Sequence, residues 1–161
     1  MKEIILTNGM ITQVDDEDYE YLNQWKWNFN KRYIVRSIYN NGDNIQYKIH
    51  RIILERMLGH NNSEMVDHID GDVLNNQRNN LRPATNSQNQ MNRKKSKNKS
   101  SIYKGVSLNK KNKKYDGSIS FNLKKLYLGS FNTQEEAAEA YNKKAIELFG
   151  EYVKLNEIKK V

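Results

Sequence analysis

The chain has 161 residues and no cysteine, and its charges divide unevenly along its length. Residues 1–90 hold 10 Lys/Arg and 12 Asp/Glu, whereas residues 91–161 hold 17 and 7, which together give the net charge of +8. This asymmetry favours two small domains, and the basic half indicates a polyanionic partner, foremost nucleic acid. The lack of cysteine excludes disulfides, thiolate zinc sites, iron–sulfur clusters and cysteine nucleophiles, so a metal site would use mainly oxygen ligands.

The first sixty residues predict short strands and helices. Ile4 to Val14 alternates around an Asn-Gly turn, and the acidic run at 15–18 is typical of a helix N-terminus. Tyr33 to Tyr39 and Ile45 to Ile49 are rich in β-formers and predict a hairpin with an exposed polar turn. The apolar spacing over Arg51 to Leu58, closed by a glycine, predicts an amphipathic helix.

The middle of the chain is polar. Residues 64–82 are dense in Asp, Asn and Gly and predict a loop, and Thr85 to Arg93 predicts a short polar helix. A run of Lys, Ser and Asn follows, and we place a basic linker at residues 93–100. The predicted domains are therefore residues 1–92, with a leader at 1–46 and a core at 47–92, and residues 101–161.

The last sixty residues predict three strands and one helix. The strands are Tyr103 to Leu108, Tyr115 to Phe121 and Lys125 to Phe131. Thr133-Gln134-Glu135-Glu136 has the pattern of a capping box, and a helix with an apolar face follows it as far as Gly150. A three-stranded antiparallel sheet packed on one helix follows from this order of elements.

One short stretch concentrates chemistry-bearing side chains. Asp67-His68-Ile69-Asp70-Gly71-Asp72 is followed by Asn75-Asn76, Asn79-Asn80, Asn86 and Asn89. One interpretation is a polar hairpin with Asx turns. The other is a phosphodiesterase site, in which carboxylate and amide oxygens hold a hard cation and an imidazole activates water.

These residues, together with Tyr47-Lys48-Ile49-His50-Arg51 and Asn80-Leu81-Arg82, resemble the His-Asn-His (HNH) homing endonucleases of phages and introns. The resemblance covers about residues 47–93 and implies a ββα-metal (His-Me finger) fold in an α+β chain, with one divalent ion, Mg²⁺ or Mn²⁺. It also implies that His68 is the general base, that Asp67 and Asn89 are metal ligands, and that Asn80 braces the loop.

Several nearby residues keep two interpretations. Adjacent positions in a regular strand point to opposite faces, so Asp67 and His68 reach one phosphate only if the strand is irregular or ends between them. His50 matches a His-Arg pair of the family but is expected to have a structural role, and His60 is expected to be solvated. Arg51, Arg78 and Arg82 could contact phosphates or pair with local Asp residues.

The leader before residue 47 resembles the segment that often precedes this kind of nuclease. Trp25 and Trp27 within it could stack on bases, but aromatic residues at this spacing are more often part of a core.

The basic half carries a second resemblance. Tyr103-Lys104-Gly105-Val106, Tyr127-Leu128-Gly129-Ser130-Phe131, the helix segment 135–141 and Asn156 resemble the Apetala-two (ethylene-response-factor) DNA-binding domain, whose sheet faces the major groove. Ser107 and Ser120 stand where that family has arginines, so we expect phosphate binding with modest base readout. The expected DNA contacts are Arg93, Lys94, Lys95, Lys104, Lys110, Lys111, Lys113, Lys114, Tyr115 and Tyr127.

The sequence thus predicts a metal-dependent endonuclease of double-stranded DNA from a phage, homing or mobile-element system. We expect it to be a monomer that nicks one strand, located in the cytoplasm of a bacterial or phage-infected cell, without membrane contact. The main alternative is a non-catalytic DNA-binding regulator with a decayed nuclease fold. A weaker alternative is an RNA-binding protein that uses its tyrosines for stacking.

Overall fold

A computed structural model describes residues 1–61, 64–93 and 100–158, and divides the chain into two compact units. The first unit is Met1–Thr85 and the second is Asn86–Val161. The division lies before the short polar helix, whereas the sequence-based domain bounds place that helix with the nuclease. Lys94 and Lys95, and most of the expected linker, lie outside the described residues.

The first unit opens with a hairpin and a short helix. Strands β1 (Lys2–Ile5) and β2 (Ile11–Val14) pair antiparallel, and helix α1 (Asp16–Leu22) follows. Three consecutive acids occupy its first turn, where they complement the positive end of the helix dipole. These elements agree with the pattern expected from the sequence.

A second sheet and a helix lead to the central part of the unit. Strand β3 (Asn28–Phe29) pairs with β4 (Ile34–Asn40), which pairs with β5 (Asp43–Lys48). Helix α2 (Ile49–Leu58) begins directly after β5 and ends at Gly59. Gly59 has a φ of 74°, and its N–H donates to the Glu55 carbonyl, which is why glycine suits this position.

The polar segment forms a third hairpin. Strand β6 (Met65–His68) pairs antiparallel with β7 (Leu81–Ala84), and a 3₁₀ turn (Arg78–Asn80) immediately precedes β7. The sequence predicted a loop here because these strands are only four residues long and their connection is polar. One apolar core joins the leader to this hairpin: Ile4, Leu6, Val14, Leu22, Trp27, Ile34, Ile49, Ile53 and Leu81.

The second unit contains a three-stranded antiparallel sheet and two helices. Its elements are α3 (Asn86–Asn92), β8 (Val106–Asn109), β9 (Lys114–Phe121), β10 (Lys124–Phe131) and α4 (Gln134–Phe149), with β9 central in the sheet. The capping box at Thr133 and Glu136 is present. Gly105 is required because a Cβ there would lie 2.0 Å from the Tyr141 ring of α4.

Helix α3 packs within the second unit through its one large apolar side chain. Met91 contacts the cluster around Ile119, Tyr141 and Phe149, and its carbonyl accepts from the Lys154 N–H at 3.2 Å. None of the helices in the described part of the chain is long and apolar enough to span a bilayer.

Candidate active site

The candidate site is built on the β6–β7 hairpin. Asp67 lies directly opposite Arg82 in the ladder, and His68 lies opposite Leu81. The Asp67 Oδ2 accepts hydrogen bonds from the Arg82 Nε at 3.0 Å and Nη2 at 2.9 Å. This cross-strand ion pair orients a carboxylate that is only 2% exposed.

The ladder runs without interruption through both Asp67 and His68, and β6 ends after His68. The structure therefore shows neither an irregularity nor a strand end between the two residues, so β6 does not meet the condition for both side chains to reach one phosphate. Their side chains leave opposite faces of the strand. Both lie in the last two positions of β6, immediately before the turn at Ile69–Gly71.

His68 is held by an asparagine from the connecting segment. Its Nε2 lies 3.1 Å from the Asn76 Oδ1, and Asn76 is fully buried. The Asn76 Nδ2 donates to the Thr12 Oγ1 at 2.9 Å and to the Val73 carbonyl at 3.0 Å. Because the amide nitrogen is used in this way, Oδ1 faces His68, which assigns the imidazole proton to Nε2 and the lone pair to Nδ1.

The environment of His68 favours the neutral imidazole. Burial lowers the pKa of His68, and the Asn76 hydrogen bond and the charges of Asp70, Asp67 and Asp72 oppose this shift only in part. A neutral imidazole is the form that can accept a proton from water. His68 at 7% exposed is thus in the protonation state that a general base requires.

A second buried histidine packs against the first. The ring of His50, in the first turn of α2, lies 5.3 Å from the His68 ring at 75°, and the Tyr33 ring lies 5.2 Å from His50. Burial, with the charges of His68, Lys48 and Arg51, lowers the pKa of His50 to about 3. His50 is therefore an uncharged packing partner of His68, in line with the expected structural role.

Asn80 braces the loop between the strands. Its Oδ1 accepts from the Asp70 N–H at 3.0 Å, and its Nδ2 donates to the Asp70 Oδ1 at 3.0 Å and the Asn75 carbonyl at 2.8 Å. The Asp70 carboxylate also accepts from the Asp72 N–H at 2.7 Å. The two interpretations of this segment are therefore compatible: the polar hairpin with Asx turns also carries the candidate site residues.

The predicted metal ligands lie in different units. Asp67 is on β6 of the first unit, and Asn89 is on α3 of the second. Within residues 1–61, 64–93 and 100–158 no three His, Cys, Asp or Glu side chains form a ligand cluster. Mg²⁺ takes one or two carboxylates and keeps several waters, so the oriented Asp67 carboxylate is of the kind that suits such an ion, and Asn89 stays a prediction.

Two of the three ambiguous arginines are ion-paired internally. Arg78 contacts the Asp18 Oδ2 through Nε at 2.6 Å, and Arg82 holds Asp67. The Arg51 Nη2 donates to the Glu64 carbonyl at 3.2 Å. His60, exposed as expected, lies 3.0 Å through Nδ1 from the Asn61 carbonyl.

The expected DNA contacts of the second unit fall into two groups. Exposed residues are Arg93, Tyr127, and Lys110, Lys111, Lys113 and Lys114 around the β8–β9 turn. Tyr115 instead packs against the core. Arg93 and Lys104 adjoin each other: the Lys104 ammonium donates to the Met91 and Arg93 carbonyls, and burial lowers its pKa to about 8. These internal contacts do not support Lys104 as a DNA contact.

Comparisons with known proteins identify the family. The family model for HNH endonucleases matches residues 47–91, which contain β6, β7 and most of α3. The "Uncharacterized HNH endonuclease L560" of Acanthamoeba polyphaga mimivirus is 34% identical over 153 residues, 93% of this chain and 76% of the viral protein. This chain belongs to the HNH endonuclease family. No solved structure gives a significant match.

Membership indicates a nuclease, and HNH nucleases generally use a divalent metal ion. The similarity to the viral HNH endonuclease extends well beyond the matched core. The sequence pattern includes Asn76 but does not predict a role for it. Asn76 contacts Thr12, which lies 64 residues away in the sequence. No local sequence pattern predicts a contact over that distance.

Proposed function

We propose that this HNH endonuclease hydrolyses phosphodiester bonds of double-stranded DNA in a metal-dependent reaction, with His68 as the general base. The observation that carries the proposal is the buried imidazole of His68, whose Nε2 is fixed by Asn76 and whose pKa is lowered. Few structural roles require a histidine to be oriented, neutral and located at a strand end beside three Asp residues.

The chemistry is the displacement of one phosphate oxygen by water. The His68 Nδ1 takes a proton as a water oxygen forms a bond to phosphorus, and the bond to the leaving sugar oxygen breaks. Asp67 and Asn89 stay predicted ligands of Mg²⁺ or Mn²⁺, although Asp67 leaves the opposite face of β6 from His68. Such an ion would stabilise negative charge on the phosphate and on the leaving oxygen. Asn80 keeps the loop after β6 in place through the contacts described above.

The second unit is proposed as the DNA-binding part, in keeping with its resemblance to Apetala-two domains. The exposed lysines around the β8–β9 turn supply the charge for phosphate contacts. Because the nuclease unit is tethered to a DNA-binding unit, its local concentration on DNA is raised. A monomer with one His68 would nick one strand, and we assign the enzyme to a homing or mobile-element system.

The alternative, a non-catalytic regulator, is not favoured. Both the matching family model and the viral relative are HNH endonucleases, and His68, Asp67 and Asn80 are all present in this chain.

The test is cleavage of supercoiled plasmid with Mg²⁺ or Mn²⁺, with and without chelator, by wild type and His68→Ala. We expect nicked circles that require the metal and disappear in His68→Ala, while both proteins shift a duplex equally in a gel. Failure of the wild type to cut, with DNA binding intact, would move the assignment to the regulator. Tighter binding to structured RNA than to duplex DNA would remove the DNA assignment.

A further inference from the structure

Strands β4 and β5 form a two-stranded ribbon that extends beyond the rest of its sheet. Strand β3 pairs only with Ile34 and Val35, so the outer five residues of β4 pair with β5 alone. Every residue from 37 to 47 is exposed. We call β4, β5 and the turn that leads into them, residues 31–48, the ribbon.

The ribbon exposes apolar surface that a free hairpin would not favour. Tyr39 is 77% exposed, and Ile38, Ile45 and Tyr47 are each about two-fifths exposed. Ile38 lies directly opposite Ile45 in the ladder, so the two form one apolar pair on one face of the ribbon. Clustered exposed apolar side chains of this kind indicate a binding partner.

The charge of the ribbon is opposite to that of the rest of its unit. Residues 31–48 contain four Lys/Arg and one Asp, whereas the remainder of Met1–Thr85 contains six Lys/Arg and eleven Asp/Glu. The ribbon is therefore the basic part of an acidic unit, and it is complementary to a polyanion.

The cations of the ribbon are held by aromatic rings instead of carboxylates. The Arg36 guanidinium lies 4.2 Å from the Trp25 ring centroid and 5.3 Å from that of Tyr47. Arg32 and Lys48 both lie over Tyr33, at 5.2 and 4.8 Å. None of these three forms an ion pair with the described part of the chain, whereas Arg56, Arg78 and Arg82 of the same unit each bind a buried Asp.

The base of the ribbon adjoins the candidate active site within the same unit. Tyr33, which carries Lys48 and Arg32, lies 5.2 Å from His50, and His50 lies 5.3 Å from His68. The Tyr33 ring therefore lies between the side chains of Arg32 and Lys48 and the ring of His50. A duplex whose phosphate reaches His68 would have its adjacent backbone beside the ribbon.

We propose that the ribbon binds duplex DNA next to the cleaved phosphate, with its strands in the major groove and Arg32 and Lys48 at the backbone. The major groove admits a two-stranded β-ribbon. Asn44 and Gln46 lie on the same face as Tyr39 and Lys48, and their amides have the donor–acceptor pairs that read adenine. This inference rests on the proposed DNA substrate and adds a second DNA surface to the basic second unit.

The direct test is photocrosslinking of the full chain to a labelled 40-base-pair duplex in the presence of chelator. p-Benzoylphenylalanine replaces Tyr39 in one protein and Ile5 of β1 in the control, because Ile5 is similarly exposed at 73%. We expect a protein–DNA adduct from position 39 and none from position 5. No adduct from position 39 under conditions of full DNA binding, or a protein–protein adduct instead, would overturn the proposal.

A charge-matched pair of variants provides a second measurement. Arg32→Gln with Lys48→Gln should lower duplex affinity about tenfold and reduce the slope of log K against log salt by about 2. Lys2→Gln with Lys143→Gln removes the same charge away from the ribbon and should change neither. Equal losses in both pairs would show that only net charge matters, which would contradict the proposal. Neither test measures cleavage, so each can contradict the proposed role of the ribbon whatever the plasmid assay shows.

Discussion

At the scale of single residues, the candidate site depends on two buried neighbours of His68 that do different things. Asn76 fixes the proton on Nε2 through a hydrogen bond at 3.1 Å, and His50 supports the ring at 5.3 Å without a hydrogen bond between them. Orientation and tautomer are therefore set by separate residues, and both are in place without DNA.

His50 also makes the first unit sensitive to acid. The pKa of His50 is lowered to about 3 in the folded chain, against about 6.5 when unfolded. The unfolded state therefore binds an additional proton between these pH values, and stability rises with pH across this window. His50 contributes full stability at neutral pH and about 2–3 kcal/mol less near pH 4.5.

We therefore expect His50→Asn to reduce the loss of unfolding free energy between pH 7 and pH 4.5, measured by urea denaturation. His60→Asn, in the exposed turn after α2, is the control and should retain the wild-type loss. An unchanged loss in His50→Asn would show that His50 is not buried as a neutral ring.

The sequence predicts single residues well where the motif is contiguous. Asp67, His68 and Asn80 are placed in one hairpin because they lie within fourteen residues of one another. The roles of Arg82 and Asn76 could not be predicted, because an arginine near Asp residues pairs or remains free according to strand register. Register is fixed only by the assembled hairpin.

At the scale of elements, helix α1 of the leader packs on the core through Leu22 and is joined to two arginines by one buried carboxylate. Asp18 is fully buried and accepts from the Arg56 Nε at 2.7 Å and the Arg78 Nε at 2.6 Å. Burial works to raise the pKa of Asp18, but hydrogen bonds from Arg78 and Arg56 outweigh it and lower the value. The leader therefore holds both α2 and the turn before β7.

Asp18→Asn should destabilise the chain by about 2–4 kcal/mol, because two arginines would lose a buried anionic partner. Asp16→Asn, in the same helix but exposed and paired only with the N-terminus, should change stability by less than about 0.5 kcal/mol. Denaturation curves of the two variants are the measurement. Similar small effects would mean that the leader is not anchored by this ion-pair network.

The sequence predicts helices and strands correctly where the spacing of apolar residues and the capping residues indicate the same element. Helix α2 ends at the expected glycine, and α4 begins with the expected capping box. The membership of α3 could not be predicted, because it depends on one side chain, Met91, packing against residues 28 to 58 positions further along the chain.

At the scale of the whole molecule, the net charge of +8 is a difference between an acidic and a basic part. Composition alone predicts this asymmetry and the polyanionic partner. Composition does not predict the basic ribbon inside the acidic unit, because the four cations of the ribbon are outnumbered by the acidic residues in the rest of the unit.

The exposed lysines around the β8–β9 turn should contribute most to the salt dependence of DNA binding. Replacing Lys110, Lys111, Lys113 and Lys114 by Gln should lower the slope of log K against log salt by about 3–4. A control with Lys2, Lys26, Lys143 and Lys144 replaced by Gln removes the same charge. Both slopes are measured by the fluorescence anisotropy of a labelled duplex between about 50 and 300 mM salt. Identical slopes in the two variants would refute a localised contact.

Chemical rescue of a His68→Gly variant tests whether His68 is the proton acceptor. We expect His68→Gly to bind DNA but not to nick plasmid with Mg²⁺, and added imidazole to restore nicking in proportion to the neutral imidazole concentration. Imidazole should not accelerate the wild type. A folded, DNA-binding His68→Gly variant that nicks without imidazole would show that His68 is not the proton acceptor.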